Sequence, residues 1–430
     1  MLPCNLLIFN AIFDSLPAIY LKLYIFKFRG LRHISGLPLE KIRHSICIEF
    51  YLIYYMSSRP IFFVNKFADI NWFIVLVMSL IAALGFLMML SAGGGELYPW
   101  ALPQLARFLM AFLVMLAIAV MPMRLLMDYA YLIYFICIGV LLAVDVTGHI
   151  GMGAQRWLRF GGLNIQPSEF TKLAVILVLA RYFHTMQPED IRRINFLIVP
   201  LLILVVPAAL IYRQPNLGTT LILLSVGVVM CFLAGVQWRY FIGAILGALA
   251  VAPVAWHFMH GYQKKRVLTF LDPEKDPLGA GYNILQSIIA IGSGGFAGKG
   301  YLQGSQNQLN FLPEKQTDFI FTMFAEEFGF LGGMVLLALY FALLMSGMGV
   351  AARSRSTFGA MIAAGVTAMI FIHVLINVGM VMGLLPVVGV PLPLMSYGGS
   401  ITLSTVFAVG LVLNAWVHRD QMPTRMTPKL

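Results

Sequence analysis

Two places in this 430-residue chain set carboxylates and cations at spacings that could do chemistry. The first is Phe311-Leu-Pro-Glu-Lys-Gln-Thr-Asp-Phe-Ile320, where Asp318 follows a basic loop and opens a long apolar run. Transfer onto a hydroxyl needs a base to take the hydroxyl proton. A departing phosphate needs positive charge or a metal to hold it. Asp318 could be that base, with Lys299, Lys315, Arg156 and Lys172 supplying the charge. An aspartate ahead of a helix is also what an N-cap requires, and spacing alone favours the cap. The second place is Gln166-Pro-Ser-Glu-Phe-Thr-Lys172. Pro167 and Ser168 read as a helix start, and Glu169 and Lys172 then share one face. A charged pair just inside an apolar segment faces a cavity or a bundle interior, and a structural ion pair fits as well as a functional one.

Other features surround these two. Tyr262-Gln-Lys-Lys-Arg-Val-Leu-Thr-Phe-Leu271 is basic with apolar residues at helical spacing, suited to lying among lipid headgroups. Gly292-Ser-Gly-Gly-Phe-Ala-Gly-Lys-Gly300 resembles a phosphate loop but lacks the Ser or Thr that must follow the Lys, and no strand precedes it. It is expected to be a flexible, backbone-exposed loop near a substrate, with no nucleotide. Glu326, Glu327 and His373 fall inside apolar runs, as packing partners or as a polar network. From Asn377 through Leu384-Leu-Pro-Val-Val-Gly-Val-Pro-Leu-Pro-Leu-Met-Ser-Tyr-Gly-Gly-Ser400 the chain is broken by proline and glycine beside a span. Irregular backbone at that depth must line a cavity or be buried in protein.

The elements that position these residues are membrane helices. The chain is 60% hydrophobic and 11% charged, with a mean hydropathy of +0.86. A soluble domain is roughly a quarter charged, so this chain has too few charges to cover a water-facing surface. Apolar runs long enough to cross a bilayer as helices recur, and the short alternating segments of a membrane barrel are absent. The expected fold is all-α and polytopic, with ten spans near 72–91, 105–122, 127–146, 168–184, 195–212, 217–235, 240–259, 318–346, 358–382 and 395–417. One long loop, 260–317, separates the seventh and eighth spans. Cys4, Cys47, Cys137 and Cys231 lie scattered in apolar stretches and read as small hydrophobes. Residues 1–55 stand apart and lack the form of a secretory signal, so translation is expected to begin near Met56, the rival being an extra membrane-associated segment.

The net charge of +11 is mostly topological. With both termini cytoplasmic, the inside loops collect Arg124, Arg181, Arg192, Arg193, Arg239, Arg353 and Arg355, with Arg419, Arg425 and Lys429 in the tail. The exceptions fall on the outer side: Arg156, Arg159, Arg213, Lys264, Lys265, Arg266, Lys275, Lys299 and Lys315. As a group they suit an outward surface for anionic groups such as phosphates. With no soluble module left over, nucleic-acid binding is excluded.

Taken together, Gln166-Pro-Ser-Glu169, Phe311-Leu-Pro-Glu-Lys-Gln-Thr-Asp-Phe319, Gly389-Val-Pro-Leu-Pro393 and Ser396-Tyr-Gly-Gly-Ser400 resemble the SEDS family (shape, elongation, division and sporulation). Ala154-Gln-Arg-Trp-Leu158 and Asp276-Pro-Leu-Gly-Ala-Gly-Tyr282 look more like its elongation branch, RodA, than its division branch, FtsW. The resemblance covers the chain from about residue 66 onward. It implies a ten-helix peptidoglycan glycosyltransferase of the bacterial inner membrane that polymerises lipid II on the outer face by inverting transfer. It implies Asp318 as the general base, and marks Arg156, Glu169 and Lys172 as positions important for activity. Lys264, Arg266, Lys299 and Lys315 join these as candidates for binding the pyrophosphate-linked substrates. A divalent cation (Mg or Mn), a class B penicillin-binding protein and the elongation machinery are the implied cofactor and partners. A lipid II flippase or a non-catalytic scaffold are the rivals. A flippase should carry charge from one face to the other, and a scaffold needs no carboxylate at the mouth.

Overall fold

The computed structural model describes residues 66–421 apart from 148, 152–153, 161–162, 188, 259–260, 274–279, 310 and 312–313. The described residues belong to one compact unit, Lys66–Leu430. The extension 1–55 and the start expected at Met56 lie outside the described residues.

Helices α1 (Trp72–Ala92), α2 (Ala101–Val120) and α3 (Met123–Thr147) come first. Asn71 caps α1, its side chain accepting the Ile74 N–H. Then follow α4 (Pro167–Thr185), α5 (Ile198–Arg213), α6 (Leu217–Leu233) and α7 (Trp238–Phe258). The long loop carries α8 (Gly261–Leu271), α9 (Ala280–Ser293) and the short α10 (Ser305–Gln308). The chain closes with α11 (Ile320–Arg353), α12 (Thr357–Val381) and α13 (Gly399–Val417). Each of the ten expected windows falls on a helix. Seven described segments are long and apolar enough to cross a membrane: those of α1, α2, α3, α5, α11, α12 and α13.

The surface is apolar and the polar groups are inside. Leu113, Phe135, Leu201, Leu249 and Phe341 are exposed, whereas Gln104, Glu169, Lys172, Glu327, His373 and Asn377 are buried. Lipid rewards this inversion, because a polar group facing hydrocarbon has no partner and must turn toward protein. Helix α4 shows it best. It carries Glu169, Lys172 and Arg181, yet nearly all of it is buried. It packs against α3, α5, α6, α12 and α13 and so stands at the centre of the bundle.

The all-α expectation needs one correction. Between α3 and α4 the chain forms a three-stranded antiparallel meander, β1 (His149–Gly151), β2 (Ala154–Phe160) and β3 (Leu163–Ile165). Strands β2 and β3 pair antiparallel with Phe160 opposite Leu163.

Helix α11 is broken. Gly329 has φ 65° and ψ −163°, outside any helical conformation. The glycine-rich loop after α9 fills the break: Lys299 N donates to Glu326 O and Gly300 N to Glu327 O, while Phe330 N donates to Gly295 O and Leu331 N to Phe296 O. A β-carbon on Gly329 would lie 2.3 Å from Gly298 N, so only glycine fits. The stretch that resembled a phosphate loop is therefore a structural insert that satisfies the interrupted helix.

Candidate active site

Asp318 sits in the turn 314–319 that leads into α11. The N-cap of α11 is Phe319, and no side chain caps it, so the capping role that spacing favoured for Asp318 is not the one it plays. Three consecutive carbonyls hold this turn. Gln316 O accepts from Tyr397 N at 2.9 Å, Thr317 O from Ser396 Oγ at 2.7 Å, and Asp318 O from Asn377 Nδ2 at 2.9 Å. The donors come from the connection 382–398 and from α12, so the proline-broken stretch is the wall against which Asp318 is set. That wall is itself braced. Ser396 Oγ accepts Leu392 N, Tyr340 Oη donates to Pro393 O, and Gln104 Nε2 donates to Ser396 O and Thr402 Oγ1. Arg107 lies over the Tyr397 ring at 5.2 Å.

While the Asp318 backbone is pinned, its carboxylate takes no hydrogen bond or ion pair among the described residues. Gly389, at φ 70°, stands beside it: a β-carbon there would be 3.3 Å from Asp318 Oδ2. Burial pushes the carboxyl up to about 6, the Glu314 charge adds to this, and Arg266 opposes it. Such a group is ionised near neutral pH and basic enough to take a proton, which is the poise a general base needs. Burial also lowers the neighbouring Lys315 ammonium.

Glu169 and Lys172 form the expected pair, with Lys172 Nζ 2.9 Å from both Glu169 Oε1 and Oε2. Lys172 Nζ also meets His373 Nε2 at 2.8 Å, while His373 Nδ1 meets Met369 O at 2.7 Å. The carbonyl can only accept, so Nδ1 carries the proton and Nε2 accepts from the ammonium. Ser404 Oγ donates to Glu169 Oε2 and completes the network across α4, α12 and α13. His373 and Asn377 are four residues apart in α12, so one helix face links this network to the Asp318 turn.

The remaining sequence candidates are dispersed. Arg156 reaches from β2 to donate to Gln214 O at 2.8 Å and to Pro215 O. Just beyond, Gly218 abuts Val388 O and Val390, flanking Gly389, so Arg156 braces the far side of the same wall. Lys299 pairs with Glu326 Oε1 at 2.7 Å and with Ser305 Oγ at 2.7 Å, at the break in α11 rather than at Asp318. Beside it Glu327 accepts from Ser91 Oγ and from Leu302 N. Lys264, in α8, donates to His257 O near the end of α7 at 3.3 Å. Among the described cations, Arg266 is the one whose charge acts on Asp318, and Lys315 shares its turn.

The sequence passes over Gln104, Tyr340 and Asn377 as site residues, though a polar side chain or tyrosine inside an apolar run was a usable signal for each. Among the described residues no group of three or more His, Cys, Asp or Glu is placed to hold a metal.

The profile of the family described as "Cell cycle protein", FtsW/RodA/SpoVE, matches residues 71–421. The chain belongs to this family. Peptidoglycan glycosyltransferase MrdB of Escherichia coli K12 is 45% identical over 321 residues, covering 74% of this chain and 86% of that protein. Peptidoglycan glycosyltransferase RodA of Treponema pallidum is 31% identical over 423 residues, covering 81% of this chain and 97% of its own. Among solved structures, a chain from a peptidoglycan synthase complex described as coordinating polymerization and crosslinking superposes with a TM-score of 0.72 at 32% identity. It covers 82% of this chain and 99% of its own length. The Thermus thermophilus rod shape determining protein RodA superposes with a TM-score of 0.60 at 27% identity, covering 82% and 98%.

Proposed function

We propose that this chain is a RodA-like peptidoglycan glycosyltransferase that polymerises lipid II into glycan strands on the outer face of the bacterial inner membrane. The observation that carries the reading is its 45% identity, over most of both chains, to a protein named for that activity. The site adds a chemical rationale. Asp318 is held by its backbone, its carboxylate is left open, and its basicity is raised. It takes the proton from the 4-hydroxyl of the acceptor GlcNAc. That oxygen attacks C1 of the lipid-linked donor sugar, and undecaprenyl pyrophosphate departs. A single displacement on an α-linked donor gives a β-linked product, so the transfer inverts.

Arg266, whose charge acts on Asp318, receives the pyrophosphate in this reading, with Lys315 from the Asp318 turn and Lys264 from the same outer loop. Arg156 acts through the wall it braces, and Lys299 through the break in α11 that it helps to hold. Magnesium or manganese would neutralise charge on the departing pyrophosphate, taking most of its ligands from substrate phosphates and water. All ten long helices span the membrane in this reading. Helix α4 crosses at the bundle centre, where its charges are shielded from lipid, and α6 and α7 complete the set. Both termini are then cytoplasmic and the loop 260–317 extracytoplasmic. A class B penicillin-binding protein is the partner that crosslinks the strands, within the elongation machinery.

The test is polymerisation of purified lipid II by the detergent-solubilised chain bound to its cognate class B partner, with the transpeptidase blocked by a β-lactam. Glycan strands are expected. An intact complex that makes none, yet moves labelled lipid II across vesicle membranes, would establish the flippase instead. Neither activity would leave the scaffold.

A further inference from the structure

Asn377 is fully buried in α12. Its amide nitrogen donates to two main-chain carbonyls at once, Asp318 O at 2.9 Å and Val390 O at 2.7 Å. One of these lies in the turn before α11, and the other follows Gly389 in the wall. A single side chain thus sets the spacing between the two segments that flank the Asp318 carboxylate. The amide has one usable orientation, because turning it round would set an oxygen against two carbonyl oxygens. In that orientation Oδ1 is buried and has no hydrogen-bond partner among the described residues. Native proteins seldom leave such an acceptor orphaned, and its retention here argues against a side chain selected for packing alone.

Asn414 provides an internal contrast. It is also buried, and its amide nitrogen also clamps carbonyls, those of Ile118, Ala119 and Met121, where α13 meets the end of α2. It uses the same chemistry, and nothing catalytic is in its reach.

We propose that Asn377 is a positioning residue for the reaction: it fixes the Asp318 backbone against the Gly389–Val390 wall, so that the carboxylate meets the incoming acceptor hydroxyl. The inference rests on Asp318 being the base. Misplacing a reacting group by about 1 Å can cost a hundredfold in rate, whereas loosening a helix contact elsewhere lowers stability alone. The loss is therefore expected in kcat, because substrate binding draws on the outer-loop cations and on lipid contacts that Asn377 does not touch.

The experiment compares the full chain, bound to its class B partner in detergent, as wild type and as Asn377→Ala, Asn377→Ser, Asn414→Ala and Asp318→Asn. For each, kcat and KM for lipid II and the thermal midpoint are measured. Asn377→Ala is expected to lower kcat by about 30- to 100-fold with KM within about threefold. Asn377→Ser, which keeps one donor, should recover part of the loss. Asn414→Ala should lower the midpoint and leave the kcat of the folded complex unchanged. A wild-type kcat in either Asn377 variant overturns the inference, as does an equal kcat loss in Asn414→Ala. Should the alanine variant fail to fold, the serine variant decides by the same criterion. Activity in Asp318→Asn would instead remove the base assignment, an outcome distinct from any Asn377 result.

Discussion

The Asp318 turn and the Glu169–Lys172–His373 network lie one helix face apart and are built on opposite plans. In the network every side chain has its partner: carboxylate to ammonium, ammonium to imidazole, imidazole to carbonyl, and hydroxyl to carboxylate. At Asp318 the partners go to the backbone, and the side chain is left open. A saturated set of buried charges has nothing left to give a substrate and is held in one geometry. An open carboxylate on a fixed backbone can accept a proton without first breaking a bond. In the proposed reading the first region is architecture and the second does chemistry, and variants can break or sharpen that contrast.

The largest effect is expected from Asp318→Asn, which keeps shape and removes the base. General-base catalysis contributes typically 10²–10⁴-fold, so polymerisation should fall by about that much while the complex with its partner persists. Single substitutions in the network, Glu169→Gln or Lys172→Met, should instead act on stability, since each strands a buried charge at about 3–5 kcal/mol. The double substitution should be less harmful than either single one, as measured by thermal unfolding in detergent. A Lys172→Met protein with an unchanged midpoint and no activity would move the network into the chemistry.

Acid should separate the regions next. Asp318 must be ionised to act, and its carboxyl is raised from 3.8 to about 6. The rate should therefore fall as pH drops through about 6, tenfold per further unit, and hold above it. The sign for stability is opposite. A group that binds its proton more tightly when folded loses stability as pH rises from 3.8 to about 6, so above that range Asp318→Asn should match or exceed the wild-type midpoint. The smallest effect is expected from Gly389→Ala. A left-handed residue with a side chain costs roughly 1–2 kcal/mol, and the new methyl would press on Asp318 Oδ2. A severalfold drop in rate with a modest fall in midpoint is the expected reading.

Much of this was legible in the sequence. Apolar length and loop charge locate the helices, and each of the ten windows falls on one. The spacing of Glu169 and Lys172 gave their shared face, and the structure pairs them. What periodicity could not reach was contact across the chain. His373 lies 201 residues from Lys172, and Asn377 lies 59 from Asp318, separations at which no local rule operates. The three-stranded meander was missed because short strands among glycines give a weak signal beside long apolar runs. The glycine-rich loop read as flexible and backbone-exposed near a substrate because its composition permits close backbone approach, and the structure spends that approach on a broken helix. Lys299 looked like an outer cation, but position in a loop cannot reveal the buried Glu326 that holds it.

The central claim, that Asp318 does chemistry on a scaffold it does not support, is tested most directly by one paired measurement. Polymerisation rate and thermal midpoint would be read on the same preparation of the Asp318→Asn complex and compared with wild type. The account predicts a rate lower by at least about 10²-fold with an equal or higher midpoint. A normal rate, or a lost rate accompanied by a collapsed midpoint, would contradict it.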